Sequence, residues 1–258
     1  MAQRTDYWRE FWQCAICGAT NTRDDTIGLD HYEPAKFERE LDSCSACSAT
    51  WRQRATVVAV LHGLASMSGP LPERSHDHSI SGLGISDDSL VAATLSRAFN
   101  YVNTDLRRFP RLDLNDTSHI VDKFNFVTCS EVLEHVLPPV DEAIRNLSSL
   151  LCPGGFAVVS VPVPVNDNEF REHYPNIVSW QRDGDSILWI DREGTERRDN
   201  APYFHGGTGD TLELREWSDG SFQESLIRAG FRSVEAAPVV PSLGVPRVPR
   251  MGVYIAWL

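Results

Sequence analysis

Long hydrophobic runs are absent from the sequence. A membrane-spanning helix needs about 18 consecutive apolar residues, and no such run occurs. The first ten residues, MAQRTDYWRE, also lack the apolar stretch of a secretory signal peptide. We therefore expect a cytoplasmic protein that has no membrane partner.

Basic residues are in short supply. The 24 Lys and Arg residues stand against 36 Asp and Glu residues, which gives a formal net charge of -12. Proteins hold nucleic-acid phosphates mainly through Lys and Arg. The charge balance therefore disfavours nucleic acid as a partner.

Cysteine is also scarce, but four of the six cysteines form two CxxC pairs. Cys14 is spaced in this way from Cys17, and Cys44 from Cys47. In a cytoplasmic protein, paired thiols indicate a metal site rather than disulfides. Two such pairs supply the four sulfur ligands that suit zinc and leave no open position for catalysis. We predict a structural Zn²⁺ site, with a disulfide or redox role for the pairs as the alternative.

Three regions differ in composition. Residues 1–64 hold the CxxC pairs and end in a helical apolar stripe. Residues 65–79 have the polar, proline-containing composition of a linker. Residues 80–258 alternate short apolar runs with amphipathic stretches, which is typical of βαβ units around a mostly parallel sheet. The sequence predicts a small zinc-binding module followed by a doubly wound α/β domain.

Residues 164–214 interrupt this alternation. They include the stretch SILWIDREGTERR, which predicts a hairpin that turns at Glu193–Gly194. An insertion after the carboxyl end of a strand lies over the ligand crevice of an open α/β sheet. We expect this segment to form a cap over the substrate.

A glycine-containing turn lies where the first strand of the α/β domain leads into a helix. Residues 80–86 read ISGLGIS, with Gly82, Gly84 and Ser86 at alternate positions. Glycines at such a turn let the backbone approach a nucleoside closely. Asp105 closes the second strand, where a carboxylate can accept hydrogen bonds from ribose hydroxyls. The alternative is that these residues only form turns.

Two longer segments resemble a known enzyme family. FNFVTCSEVLEHV and LLCPGGFAVVSVP are similar to the signature of class I methyltransferases, which use S-adenosylmethionine. The stretch YFHGGTGDTLELREWSDGSFQESLIRAGF resembles a subgroup of bacterial enzymes associated with glycan or natural-product clusters. In that subgroup a CxxC…CxxC module and an Arg-rich helix start, here WRQR, precede the methyltransferase domain.

The resemblance implies a Rossmann-like sheet of seven strands and a set of cofactor contacts. Gly82 and Gly84 would line the methionine end of S-adenosylmethionine, with Ser86 as a further cofactor residue in the same turn, and Asp105 would hold the ribose. Asp113 and Leu114 would flank the adenine. Ser130 and Glu131 would lie below the sulfonium. The sequence departs from the family pattern at Ile80, where an acidic residue is usual, and at Ser86, which replaces a third glycine. Asp87 is a candidate to replace the missing acidic group.

Methyl transfer to a hydroxyl requires alignment of the two reactants and removal of a proton. Histidine suits the second task near neutral pH. The candidate bases are His205, His135 and His173, with a structural role as the alternative for each. A second hypothesis places Glu131, Glu134 and His135 on one helical face, where they would bind a catalytic Mg²⁺ together with His205.

The sequence therefore predicts an S-adenosylmethionine-dependent methyltransferase. The expected reaction is O-methylation of a small polar acceptor, such as a sugar or a glycosylated metabolite. One alternative is a metal-dependent RNA ribose methyltransferase, which the acidic charge disfavours. The other is a binding protein that keeps the fold without turnover.

Overall fold

The computed structural model describes residues 11–22, 43–74, 76–163, 169–205, 211–247 and 252–258. The helices are α1 (Trp51–Gly63), α2 (Ser89–Ala98), α3 (Val140–Ser149) and α4 (Asp219–Arg228). Short 3-10 turns occur at Leu71–Glu73, Leu133–His135 and Pro241–Leu243. No helix of the described ranges has the length and apolar character needed to span a membrane.

The strands, in chain order, are β1 (Trp12–Gln13), β2 (Thr20–Asn21), β3 (Asp77–Ile85), β4 (Phe99–Thr104), β5 (Phe124–Ser130), β6 (Leu151–Ser160), β7 (Arg171–Glu172), β8 (Ile177–Asp183), β9 (Ser186–Asp191), β10 (Glu196–Asp199), β11 (Phe204–His205), β12 (Thr211–Leu212), β13 (Arg215–Glu216), β14 (Ser233–Ala236) and β15 (Val253–Trp257).

The central sheet has six strands within the described residues, in the order β14-β15-β6-β5-β3-β4. The four strands from β6 to β4 are parallel, and β15 runs antiparallel to β6 and to β14. The predicted α/β class is confirmed, but the predicted count of seven strands is not. After β4 the chain turns. Asp105, which directly follows β4, forms an isolated β-bridge with Arg111.

Local sequence explains why the helices form where they do. In α3 the buried residues Val140, Ala143, Ile144 and Leu147 recur at helical spacing and face the sheet. The side chain of Asp88 caps α2 by accepting a hydrogen bond from the amide of Leu90 at 2.8 Å. These signals lie within a few residues of each other, so they can be read from the sequence.

A row of aromatic rings crosses one face of the sheet. Tyr101, Phe126, Phe156 and Trp257 follow one another, with successive ring centroids 5.9, 6.0 and 5.1 Å apart. A Cβ atom at Gly82 would overlap the Phe126 ring. The glycine therefore makes room for the aromatic row.

Helix α1 packs onto the same face. A Cβ atom at Gly63 would overlap the Phe156 ring, so the helix lies very close to the sheet. The indole Nε1 of Trp51 donates to the Pro246 carbonyl at 2.8 Å, and the Arg54 guanidinium donates to the Gly244 carbonyl at 2.7 Å. Helix α1 thus shares a core with the sheet. The proposed boundaries at 1–64, 65–79 and 80–258 stay predictions, and β3 already begins inside the expected linker, at Asp77.

The inserted segment forms a small layer of its own. Strands β8, β9 and β10 make an antiparallel sheet, and the predicted hairpin turn at Glu193–Gly194 is confirmed, with φ of +81° at Gly194. A small core joins this sheet to the returning chain through Tyr174, Ile177, Ile187, Leu212 and Leu214. Residues 164–168 and 206–210 of the expected cap lie outside the described residues.

Candidate functional site

Four parallel strands end together at one edge of the central sheet. Ile85 is in register with Thr104 of β4, and Ser130 of β5 is in register with Ser160 of β6. The carboxyl ends of parallel strands form the ligand-binding edge of an open α/β sheet. The predicted cofactor residues Ser86, Asp105 and Glu131 directly follow three of these strands.

A chain of hydrogen bonds runs along this edge. The Ser130 hydroxyl lies 2.7 Å from the Ser160 hydroxyl, and Ser160 Oγ donates to Glu131 Oε1 at 2.9 Å. From the other side, Arg52 Nη1 donates to Ser130 Oγ at 3.0 Å. Arg52 lies in the first turn of α1, so this helix brings a positive charge to the end of the parallel strands.

Asp87 is buried beside the same edge. Its Oδ2 accepts hydrogen bonds from the hydroxyls of Tyr101 and Thr128, which lie 2.8 Å from each other. Burial raises the pKa of Asp87 to about 6, although these two hydrogen bonds and the nearby Arg52 act in the opposite direction. Its Oδ1 is buried without a hydrogen bond from the described residues. A buried acceptor in this state favours a positively charged or hydrogen-bonding ligand.

The structure gives Gly84 a packing role. A Cβ atom at this position would overlap the Tyr101 hydroxyl and the Asn103 side chain. Gly84 therefore lets Tyr101 reach Asp87. Ser86 follows with a φ of +55°, a left-handed conformation that glycine adopts more easily. A direct cofactor contact for Gly82, Gly84 or Ser86 stays a prediction.

The predicted nucleoside residues differ in accessibility. Asp105 Oδ1 accepts hydrogen bonds from the amides of Arg107 at 2.7 Å and Arg108 at 2.9 Å. These bonds, with the Arg107 amide contributing most, hold the pKa of Asp105 below its usual range. Asp113 holds a similar turn through the Asn115 amide. Leu114 is only 3% exposed and packs in the hydrophobic core; its predicted adenine contact stays a prediction.

Glu131, Glu134 and His135 do not share a helical face, so that part of the sequence prediction is wrong. Glu131 has a left-handed φ of +57°, and the 3-10 turn begins only at Leu133. Among the described residues this trio does not form a group with metal-ligand distances. The predicted Mg²⁺ at this position is therefore unsupported.

The three candidate bases have different surroundings. His135 Nδ1 lies 2.8 Å from the Leu212 carbonyl and therefore carries the hydrogen, while its Nε2 faces Glu134 Oε1 at 3.6 Å. His173 stacks on the Tyr203 ring with 3.7 Å between the ring centroids. The side chain of His205 lies outside the described part of the structure. His135 thus joins the turn after β5 to the inserted segment.

Arg215 anchors the inserted segment next to this turn. Its buried guanidinium donates to the carbonyls of Leu133 and Val136, both at 2.6 Å. It also forms an ion pair with Glu172 at 2.7 Å. Through the two carbonyl bonds and the His135 bond to the Leu212 carbonyl, the returning end of the inserted segment is attached to the turn after β5. No local sequence signal indicates this role, since the partners of Arg215 are far apart in the chain.

The four cysteines predicted to bind metal lie together. Their Sγ atoms are all within 4.8 Å of one another, with Cys14 to Cys47 at 3.7 Å and Cys17 to Cys44 at 3.6 Å. The two CxxC turns have the same backbone pattern. In each, the amide of the first cysteine bonds to the carbonyl five residues on, and the residue after the second cysteine has a positive φ.

The pKa values of Cys14, Cys44 and Cys47 are shifted in different directions by burial and by nearby polar groups. Burial alone would raise the pKa of Cys44, but the amides of Cys47 and Ala46 together with the Asn21 side chain lower it to about 7. Burial raises the pKa of Cys14 far above its usual range and that of Cys47 to about 12. Four thiolates cannot remain this close without a cation, and a bound metal ion deprotonates its thiol ligands outright.

Residues 62–157 match a family described as a methyltransferase domain. This match confirms the prediction that the chain is an S-adenosylmethionine-dependent methyltransferase. No curated protein is significantly similar to the chain in sequence.

Solved structures of several methyltransferases are distantly similar. The sugar N-methyltransferase KedS8 from Streptoalloteichus has 16% identity and a TM-score of 0.43, with 69% of this chain and 79% of that chain covered. CalS10, an amino pentose methyltransferase from Micromonospora echinaspora, has 16% identity and a TM-score of 0.45, with 81% and 92% covered. A methyltransferase from Clostridium acetobutylicum has 11% identity and a TM-score of 0.45, with 81% and 91% covered. Likenesses this distant do not identify an acceptor.

Proposed function

We propose that this methyltransferase binds S-adenosylmethionine at the edge formed by β3, β4, β5 and β6 and methylates an oxygen of a small polar acceptor, such as a sugar or a glycosylated metabolite. The observation that carries the cofactor site is the convergence of Arg52, Asp87, Asp105 and the Ser130–Ser160–Glu131 chain at the carboxyl ends of the parallel strands.

The residues at this edge fit the chemical groups of the cofactor. When bound, S-adenosylmethionine supplies an electrophilic methyl group on a positively charged sulfonium. Asp105 would accept hydrogen bonds from the ribose hydroxyls through Oδ2, since its Oδ1 already holds the following turn. Asp87, whose pKa lies at about 6, carries negative charge at neutral pH beside the methionine end. The proposed contacts of Asp113 and Leu114 with adenine, and of Ser130 and Glu131 below the sulfonium, belong to the same proposal.

The inserted segment would supply the acceptor side. It is attached to the turn after β5 by His135, Arg215 and the hydrogen bond from the Leu214 amide to the Glu134 carbonyl. This attachment supports its proposed role as a cap. His205, His173 and His135 remain the candidates for the base that removes the acceptor proton. His135 donates from Nδ1 to the Leu212 carbonyl, which favours a positioning role for this residue.

The four-cysteine cluster is proposed to hold one structural Zn²⁺. The spacing of the thiols, the paired CxxC turns and the Asn21 hydrogen bond to Cys44 at 3.5 Å support a closed S4 site. Such a site has no open position for a substrate. Its function would therefore be to stabilise the start of α1, which delivers Arg52 to the cofactor edge.

Two acceptor compounds that differ in one functional group test whether the methyl group is transferred to an oxygen. The full chain is incubated with S-adenosylmethionine and one of two acceptors. The first is a nucleotide-linked hexose, and the second is the same compound with one sugar hydroxyl replaced by an amine. Formation of S-adenosylhomocysteine is measured, and the position of the new methyl group is found by mass spectrometry. We expect a methyl ether on the hydroxyl compound. Methylation of the amine alone would contradict O-methylation while leaving the methyltransferase assignment intact.

A further inference from the structure

The two ends of the inserted segment carry a second group of metal-binding side chains. One ring nitrogen of His173 and one carboxylate oxygen each of Glu213 and Glu216 lie within 4.8 Å of one another. This group is separate from the cysteine cluster and from the trio Glu131, Glu134 and His135.

Backbone pairing fixes the positions of the three residues. Strand β7 pairs antiparallel with β13, which sets Arg171 opposite Glu216. The His173 amide donates to the Leu214 carbonyl at 2.8 Å, and the Glu213 amide donates to the Tyr203 carbonyl at 2.7 Å. The outgoing and returning ends of the insertion are therefore aligned at this point before any ligand binds.

The His173 ring is held in one orientation. It stacks on Tyr203 with centroids 3.7 Å apart and an interplanar angle of 8°. Its Nε2 is buried and has no hydrogen-bond partner among the described residues. A buried ring nitrogen without a partner is unfavourable, and coordination to a cation would satisfy it.

The charges around the group also favour a cation. Two carboxylate oxygens and one imidazole nitrogen at these distances form a set of donors that a divalent cation can bind. Arg171 lies 3.9 Å from Glu216, but its side chain is 56% exposed, so water weakens this pairing. A divalent ion would neutralise both carboxylates directly.

We propose that His173, Glu213 and Glu216 bind a divalent transition-metal cation that joins the two ends of the inserted segment. One imidazole nitrogen with two carboxylate oxygens suits Mn²⁺, Fe²⁺ or Zn²⁺ better than Mg²⁺, which prefers oxygen ligands. The cation fixes the two ends of the inserted segment beside the turn after β5, and His173, as a ligand, is then not the base that removes the acceptor proton. This inference does not depend on the identity of the methyl acceptor.

Manganese is the probe, because the softer thiolate cluster takes zinc in preference to Mn²⁺. The full chain, with zinc already present, is titrated with Mn²⁺ and the free ion is followed by electron paramagnetic resonance. We expect one saturable Mn²⁺ per chain. Losing a group that supports a metal ligand costs about 10–100-fold in affinity. E213Q and E216Q each replace a charged ligand with a neutral amide, and each should weaken Mn²⁺ binding at least that much.

The matched control is E193Q, which changes an exposed glutamate in the β9–β10 turn and should bind Mn²⁺ as the wild type does. Circular dichroism spectra of the variants show whether they fold. Three results would overturn the proposal: no saturable Mn²⁺ binding by the wild type, unchanged binding in folded E213Q and E216Q, or loss of binding in E131Q instead.

Discussion

At the scale of single residues, Asp105 combines two tasks that its variants can separate. Its Oδ1 holds the turn after β4, and its remaining oxygen is proposed to bind the ribose. Asp105→Ala removes both, whereas Asp105→Asn keeps an oxygen for the turn and removes the charge. Losing a charge-assisted hydrogen bond costs roughly 1.5–3 kcal/mol, or about one to two decades in affinity.

We expect calorimetric titration with S-adenosylmethionine to show this loss in Asp105→Ala and a smaller loss in Asp105→Asn. Asp77→Asn is the control, since Asp77 holds a similar turn through the Ser79 amide at the opposite end of β3. Wild-type affinity in Asp105→Ala would place the ribose site elsewhere.

Asp87 should make the stability of the cofactor-free protein depend on pH. Burial raises its pKa to about 6 in the folded chain from 3.8. Between these values the folded state keeps a proton that the unfolded state has lost, so the free energy of unfolding falls as pH rises. Each pKa unit corresponds to about 1.4 kcal/mol, so the full contribution is about 3 kcal/mol.

Urea unfolding of wild type and Asp87→Asn from about pH 4 to pH 7 checks this prediction. The stability of wild type relative to Asp87→Asn should fall across that window. Asp116→Asn provides the opposite case, because hydrogen bonds from Ser118 lower the pKa of Asp116. There the relative stability of the wild type should be fully present above the ordinary pKa of 3.8 and fall as the pH drops below it, so this pair is followed below about pH 4. A stability difference between wild type and Asp87→Asn that stays constant across the window from about pH 4 to pH 7 would show that Asp87 is not buried as described.

At the scale of elements, the two CxxC turns are expected to form one metal site. Purified without added metal, the protein should contain one zinc per chain by elemental analysis. Cys44→Ser should release the ion, because the remaining three thiols no longer complete the tetrahedron. Cys152→Ser should keep it, since Cys152 lies outside the cluster. Absence of zinc from the wild type, or a disulfide between Cys14 and Cys17 in reducing buffer, would defeat the prediction.

At the scale of the whole molecule, the cysteine turns and the sheet should unfold together. Residues of both turns, of α1 and of β6 and β15 belong to one hydrophobic core. Arg54 lies over the Trp12 ring at 4.5 Å and bonds to the Gly244 carbonyl, so one side chain joins β1 to the 3-10 turn that precedes β15. Such shared contacts favour a single cooperative transition.

Zinc release, followed with a colorimetric chelator, should therefore coincide with loss of secondary structure during denaturant unfolding. In the same experiment Cys44→Ser should lower the midpoint for the entire sheet. Release of zinc well before the sheet unfolds would instead identify residues 1–64 as an independently folding module.

The sequence by itself determined those features whose signals are local. Helix α3 could be predicted from its apolar spacing, the β9–β10 turn from Gly194, and the cysteine cluster from two short CxxC pairs. The match of residues 62–157 to a methyltransferase domain is likewise carried by a continuous stretch of chain. In each case the residues that decide the structure are neighbours in the sequence or repeat a recognisable spacing.

Only the tertiary structure decided what these elements bring together. The sequence places Gly84 in a glycine-containing turn, and only the fold shows that this glycine makes room for Tyr101 to reach Asp87. Arg52 reaches Ser130, 78 positions away, and His173 meets Glu213 and Glu216 where the inserted segment returns. Contacts of this kind arise from strand order and helix packing, and no local spacing encodes them. Sequence periodicity therefore predicts the elements, whereas side-chain packing between distant elements builds the site.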